Sequence, residues 1–324
     1  MQQRYQIPNT ELRLSPIGLG AVKAGVDWAG ADADRLLDAY VDLGGNVIDT
    51  ARVYADFIHL NGQVELGRSE RVIGEWIGRS GKRDQVLLIT KGGHPKMVWP
   101  TDDIHISRMT PADMRYDIEL SLKALHTDTI DIYFYHRDDR TQSVEEEIET
   151  MEQFRREGKL RYYACSNWEL DRIVEADKYC KAQGYRGFVA DQALLNLGSA
   201  YMPPQKDDTV VALKGALYDY HVQNADNLAI AYRGAAAGFF HLYIEGGVEA
   251  VRLHPYYSEE NIRRAERVRE LMQKYGATVS QVILGYFFVL PFHCLPLYGP
   301  QNIAQLKDAM DACSIRFQRE DFTF

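Results

Sequence analysis

The stretch GGNVIDTARVY, residues 44–54, decides how the rest of the chain is read. Asn46–Asp49 is a short apolar run that stops at a carboxylate, the pattern of a buried β-strand ending in a polar side chain. Tyr54 follows in the adjoining turn. The same pattern returns twice: LLITK ends at Lys91, and IDIYFYH ends at His136. Three consecutive strands thereby bring a carboxylate, a phenol, an ammonium and an imidazole to one end of a parallel sheet. A lone phenol, with a pKa of about 10, is a poor acid near neutral pH, whereas one held beside Lys and Asp can give up its proton. The pattern is that of an enzyme.

Strand-like and helix-like segments alternate outward from this stretch. Strands read at Ile17–Gly20, Asn46–Asp49, Val86–Thr90, Ile130–Tyr135, Leu160–Cys165, Phe188–Gln192, Leu228–Tyr232 and Cys294–Leu297. Helices read near Ala33–Leu43, Ser69–Arg79, Pro111–Leu125, Val144–Glu157, Glu169–Gln183, Thr209–Gln223, Ser258–Tyr275, Ser280–Phe288 and Ile303–Asp311. Eight strands with intervening helices predict an α/β fold, a closed (β/α)8 TIM barrel forming one domain over residues 1–324. The opening RYQIPNTELRLS, with its Pro-Asn turn, predicts an N-terminal β-hairpin. A doubly wound open sheet is the competitor, but no GxGxxG phosphate fingerprint follows any strand. Three long stretches should overhang the C-terminal mouth, where this fold places its sites: Ala55–Leu66, Leu194–Asp208 with its Pro203-Pro204 turn, and the Gly- and Ala-rich Gly234–Tyr257.

Composition narrows the class. Hydrophobic residues make up 46% and charged residues 26%, the balance of a globular protein rather than a disordered one. A net charge of −9 leaves no basic excess for a nucleic-acid backbone. Arg263, Arg264, Arg267 and Arg269 alternate with Glu259, Glu260, Glu266 and Glu270, which predicts a solvated helix face. No apolar run reaches the roughly 20 residues of a membrane span, and MQQRYQIPNTELRL lacks the apolar core of a secretion signal, so a cytoplasmic location is expected. Cys165, Cys180, Cys294 and Cys313 show no metal-type spacing, and reduced thiols are expected, with Cys165 packed in the core.

GGNVIDTARVY, ITKGG, YHRD, SNW, DQ and LPLYGPQNIAQL, in that order over nearly the whole chain, resemble the aldo-keto reductase superfamily. The resemblance implies a nicotinamide dinucleotide, NADP(H) or NAD(H), lying across the barrel mouth, and no metal. It makes Tyr54 the general acid, Lys91 the cation that lowers its pKa, Asp49 the partner of Lys91, and His136 the residue that orients the carbonyl. Ser166, Asn167 and Gln192 match the set that holds the nicotinamide carboxamide, and Tyr232 the aromatic that stacks on the ring. Gly20 and Ala21 match the backbone beside it. Asp191 stands where that family commonly carries Asn, which places Gln192 in a more acidic setting. Gly299, Gln301 and Gln305, in GPQNIAQ, match the adenosine-phosphate site at a helix N-terminus. Peptide N–H groups there bind anions whatever the side chains. Gln301 and Gln305 stand where many relatives are basic, which brings NAD(H) level with the family's usual NADP(H).

The substrate is read from the loops. Trp28, Phe57, His59, Tyr201, Met202 and Trp168 are candidate pocket walls, with Asn61, Arg137, Asp138 and Arg233 as polar contributors. Aromatics mixed with charged and amide groups suit a sugar or polyol. Three functions follow: reduction of an aldehyde or ketone, or oxidation of a sugar hydroxyl, by hydride transfer; a redox-neutral sugar conversion on a retained dinucleotide; and a cofactor-sensing regulatory subunit. The first is favoured, and the four-residue constellation counts against the third. The small-molecule carbonyl or sugar is the expected partner, and oligomeric state is not readable.

Overall fold

The computed structural model describes residues 4–56, 66–95 and 103–323. It opens with an antiparallel hairpin, β1 (Tyr5–Gln6) and β2 (Arg13–Leu14). Eight parallel strands then close a barrel: β3 (Gly18–Gly20), β4 (Val47–Asp49), β5 (Leu87–Gly92), β6 (Ile130–Tyr135), β7 (Leu160–Ser166), β8 (Ala190–Leu194), β9 (Leu228–Tyr232) and β10 (Cys294–Tyr298). They follow chain order around the barrel, with β10 returning to pair with β3, so the expected (β/α)8 architecture and hairpin are both present.

Alternation along each strand explains why chemistry collects at one end. Val47, Ile89, Ile132, Phe134, Ala164, Ala190, Ile230, Leu295 and Leu297 form one buried cluster inside the barrel. Two residues further along, on the same face of their strands, stand Asp49, Lys91, His136, Ser166, Gln192 and Tyr232. The interior is therefore apolar for most of its depth and turns polar at its C-terminal rim. Ile48, Leu88, Tyr133 and Tyr135 point the other way, into the layer beneath the helices.

The helices are α1 (Gly30–Asp42), α2 (Arg68–Ser80), α3 (Pro111–Ala124), α4 (Val144–Arg156), α5 (Leu170–Gln183), α6 (Ala216–Gln223), α7 (Phe239–Val251), α8 (Glu259–Tyr275), α9 (Val279–Gly285) and α10 (Ile303–Asp311). Their starts carry side-chain caps where the residue types allow, as at Thr110 with Pro111 following, Ser143, Ser258, and the Thr278–Gln281 capping box.

Three expectations need correction. The predicted helix Thr209–Gln223 begins only at Ala216, because the preceding Val210-Val211 stretch extends instead. Leu194 N–H donates to Val211 O at 2.9 Å and Leu213 N–H to Leu194 O at 3.0 Å. Gly215, at φ 54° and ψ −131°, then turns the chain into the helix. Within the Gly- and Ala-rich stretch expected to be loop, Phe239–Val251 is helical, with a kink at Gly247. The sixth barrel strand lies two residues beyond the predicted Phe188–Gln192, which puts Gln192 mid-strand rather than at its end.

Candidate active site

Lys91 is the centre of the constellation. Its side chain is fully buried, and Nζ lies 2.8 Å from both carboxylate oxygens of Asp49, 2.8 Å from the Thr50 carbonyl and 3.2 Å from Tyr54 Oη. An ammonium has three protons and no acceptor, so carboxylate, carbonyl and phenol take all three. Tyr54 Oη therefore accepts from Lys91, which leaves its own proton to be donated elsewhere. The second anchor of Asp49 comes from across the barrel, where Gln192 Nε2 donates to Oδ1 at 2.8 Å.

Backbone hydrogen bonds continue past the strand ends and hold these groups in register. Ala21 N–H donates to Asp49 O, Arg52 N–H to Lys91 O, and His136 N–H to Gly92 O, at 2.8, 3.0 and 3.0 Å. Three non-glycine residues at the rim adopt positive φ: Ala55 at 68°, Asn167 at 59° and Arg233 at 55°. Each directly follows a predicted site residue, and strained backbone of this kind concentrates at functional sites.

Burial, and then Asp49, push the Tyr54 phenol well above 10, with Arg137 and Arg233 opposing. Burial likewise pushes Asp49 up and Lys91 down, while their contact draws both back toward the charged forms. Burial first, then His94, Arg137 and Lys91, hold the His136 imidazole well below 6.5 and thus neutral. Its Nδ1 is buried with no hydrogen-bond partner among the described residues.

The residues expected to hold a carboxamide do converge. Ser166 Oγ donates to Gln192 O at 2.9 Å and accepts from Asn167 Nδ2 at 3.0 Å. Asn167 Oδ1 accepts from Tyr232 Oη at 2.7 Å and from Val211 N–H at 3.2 Å. Gly20 and Gly299 approach so closely that a side chain on Gly299 would meet Gly20 O at 3.2 Å. At the start of α10, Asn302 caps the Gln305 N–H at 3.0 Å, and Gln305 Oε1 accepts from the Gln301 N–H at 2.9 Å. Asp191 faces away from Gln192, as alternation requires, and meets His221 Nε2 of α6 at 3.1 Å, so the expected acidic setting for Gln192 is not what it makes.

The pocket walls fare differently. Trp28 is buried and donates through Nε1 to Pro300 O at 3.1 Å, tying the loop after β3 to the loop before α10. Trp168 is fully buried between Tyr135 and Phe188 and donates to Arg137 O at 3.0 Å, so it is not a wall. One face of the exposed Tyr201 ring is taken by the Arg264 guanidinium, 3.8 Å from its centroid, and Met202 packs against a core cluster. Asp138 pairs with Arg172 at 3.2 Å. Arg137 remains at the mouth, bound to Thr209 Oγ1 at 2.8 Å and Asp207 at 3.2 Å, and Arg233 reaches Gln205 Oε1 at 2.9 Å. Phe57, His59 and Asn61 lie outside the described residues.

His94 was not singled out from the sequence, yet its ring packs edge-on against His136 at 4.7 Å between centroids. The signal was available: ITKGG is followed at once by His94, so the chain that delivers Lys91 also carries an imidazole to the rim. A cavity of about 610 Å3 opens at the opposite end of the barrel, lined by the hairpin and by Phe287, Phe292 and His293. Its lining brings no carboxylate and no lysine to the His293 imidazole. Among the described residues no cluster of His, Cys, Asp or Glu could hold a metal, and no helix is long and apolar enough to cross a membrane.

Comparison with known sequences agrees with the barrel fold. Residues 16–323 match the sequence profile described as the Aldo/keto reductase family. An aryl-alcohol dehydrogenase of Pestalotiopsis microspora is 24% identical over 99% of this chain and 80% of its own. Norsolorinic acid reductase A of Aspergillus parasiticus is 24% identical over 98% and 78%. An aryl-alcohol dehydrogenase of Phanerodontia chrysosporium with NADP(+) in its name is 25% identical over 100% and 84%.

Proposed function

We propose, for a chain that belongs to the aldo/keto reductase family, an NAD(P)-dependent oxidoreductase that interconverts a carbonyl and an alcohol with Tyr54 as the acid–base residue. The observation that carries this is the direction of one hydrogen bond. Tyr54 Oη accepts from the Lys91 ammonium at 3.2 Å, so its proton is free for a carbonyl oxygen at the mouth. Burial keeps the phenol protonated until it is needed. As negative charge grows on Oη during transfer, Lys91 is already in place to stabilise it, without reorganisation. Neutral His136 can donate a hydrogen bond to the same carbonyl oxygen and orient it. In the reverse direction Tyr54 takes the alcohol proton back.

A bound nicotinamide dinucleotide supplies or receives the hydride. The residues present suit such a group. Ser166, Asn167 and Gln192 combine hydroxyl, amide N–H and amide oxygen within a few ångströms, and Gly20 beside Gly299 leaves the rim free of side chains. The Tyr232–Asn167 bond is the one that must open to free an amide for it. At the start of α10 the stretch Gly299–Gln305 contains no Lys or Arg, which supports NAD(H), because a 2′-phosphate calls for a cation. The NADP(+) in the name of the Phanerodontia relative supports the alternative.

Of the three described aromatic candidates, Trp168 and Trp28 are buried and only Tyr201 is exposed, which weakens the case for a stacked sugar. The names of the relatives turn attention to aryl carbonyls and alcohols. A panel of aryl aldehydes, aryl alcohols and aldoses, followed by absorbance of both reduced nicotinamides, tests the reading. Tyr54→Phe should lower kcat by about 10²–10⁴-fold. Its dinucleotide affinity, read by fluorescence quenching, should stay at the wild-type value. A Tyr54→Phe enzyme as fast as wild type would remove Tyr54 from the chemistry.

A further inference from the structure

We propose that Glu70 is a positioning residue for the Tyr54–Lys91 pair, its buried carboxylate bracing from outside the barrel both segments that carry them. The inference rests on the acid–base reading of Tyr54 and extends it to a residue that touches neither substrate nor cofactor.

Glu70 lies in the first turn of α2 and is fully buried. Its Oε1 accepts from Thr90 Oγ1 at 2.7 Å, and Arg52 Nη1 donates to its Oε2 at 3.1 Å. Thr90 precedes Lys91 in β5 and by alternation faces outward, toward α2, while Lys91 faces the interior. Arg52 sits in the turn between Asp49 and Tyr54, and its N–H donates to Lys91 O at 3.0 Å. Glu70, Thr90, Lys91 and Arg52 therefore form a closed ring behind the site.

The rest of the same helical turn fastens the same segment. Ser69 Oγ lies 2.7 Å from Thr50 Oγ1 and donates to Ala21 O at 2.7 Å. Thr50 O is one of the three acceptors of the Lys91 ammonium. Asp56 Oδ1 takes the Gly67 N–H at 2.6 Å, which pins the far side of the turn. Gly67 has φ 71°, and a Cβ on it would stand 1.6 Å from Arg52 Nη1. The glycine thus opens the path by which Arg52 reaches Glu70.

A merely structural account fits less well. Beyond its first turn, the buried side chains of α2 are Ile73, Trp76 and Ile77, which carry no charge to desolvate. A buried carboxylate and guanidinium together are commonly no more stabilising than apolar residues of the same size. What the pair does supply is a fixed direction for the turn. The Glu70 charge also favours the charged form of Lys91.

Crystal structures and kinetics of Glu70→Gln and Arg52→Met test this. Glu70→Gln keeps the shape and the Thr90 contact but removes the charge that holds Arg52. The expected result is that Tyr54 Oη leaves hydrogen-bond reach of Lys91 Nζ while the Lys91–Asp49 contact survives. The expected kinetic result is a kcat about 10²-fold lower with dinucleotide Kd unchanged, since an ångström of misplacement has effects of that size. In a Tyr54→Phe background the same change should cost nothing further, because Glu70 acts through Tyr54. An intact Tyr54–Lys91 contact in the variants, or losses that multiply with Tyr54→Phe, would overturn the proposal. The crystallographic arm needs no turnover, so wild-type protein inert toward every carbonyl would count against the acid–base reading alone. If Glu70→Gln does not fold, Arg52→Met cuts the same link at its less buried end.

Discussion

At the scale of single residues, His94 makes the mouth sensitive to acid. Its Nδ1 lies 2.8 Å from Pro95 O, so the neutral ring carries its proton there and Nε2 is the acceptor. Burial first, then Arg137, lowers His94 to about 4. Between that value and the ordinary 6.5 the unfolded chain binds a proton that the native state refuses. The stability this contributes is complete above about pH 6.5 and is lost as pH falls toward 4, at up to about 1.4 kcal/mol per pH unit. Asp56 acts in the opposite sense over much of the same window, since burial pushes it up to about 6 and protonation then relieves the native state. A difference measurement separates them: urea unfolding across this range should show wild type losing stability faster than His94→Gln. Parallel curves would mean that another group carries the titration. Asp49 is a simpler case. Asp49→Asn leaves the buried Lys91 ammonium without its counter-charge, and a loss of about 3–5 kcal/mol in urea unfolding is expected.

At the scale of elements, the turn into α2 yields a paired prediction. Gly81, at the end of α2, has φ 65° and open space around its Cα, so Gly81→Ala should cost only the left-handed backbone penalty of about 1–2 kcal/mol. Gly67→Ala bears a similar penalty and also strikes the Arg52 guanidinium, so its thermal unfolding midpoint should fall further and carbonyl turnover should fall with it. Equal effects at both glycines would show that Arg52 moves aside freely. The strands β4, β5 and β6 are legible because each apolar run stops at its own polar residue, a local signal. Thr209–Val211 was misread for the opposite reason: its backbone is satisfied by Leu194 and Asn167, neighbours only in three dimensions. Phe239–Val251 was hidden by Gly246 and Gly247, which suggested loop, although its Phe239, Phe240 and Tyr243 bury one face. The site followed the same rule. Asp49, Lys91 and His136 could be found from strand ends, whereas the Trp28–Pro300 bond and the Glu70 brace join segments that nothing local relates.

At the scale of the molecule, the two ends of the barrel do different work, and that separation can be measured. The hairpin buries Ile7, Leu12 and Leu14 against the same cluster that fills the barrel interior, with Val47, Ile89, Ile132 and Ile230. It closes the N-terminal end, while Asp49, Lys91 and His136 lie beyond that apolar layer at the other. A layer of close-packed side chains stands between them, and core residues of this kind respond to a lost group mainly by leaving a cavity. Leu12→Ala should therefore lower unfolding free energy by about 2–5 kcal/mol in urea. Its kcat and its dinucleotide Kd, measured well below the unfolding transition, should match wild type, because no hydrogen bond of the Tyr54–Lys91–Asp49–Gln192 set runs through the hairpin. A Leu12→Ala enzyme that loses turnover in proportion to its stability would mean that the barrel transmits strain from floor to rim. The rim geometry would then depend on packing throughout the interior rather than on the braces around it.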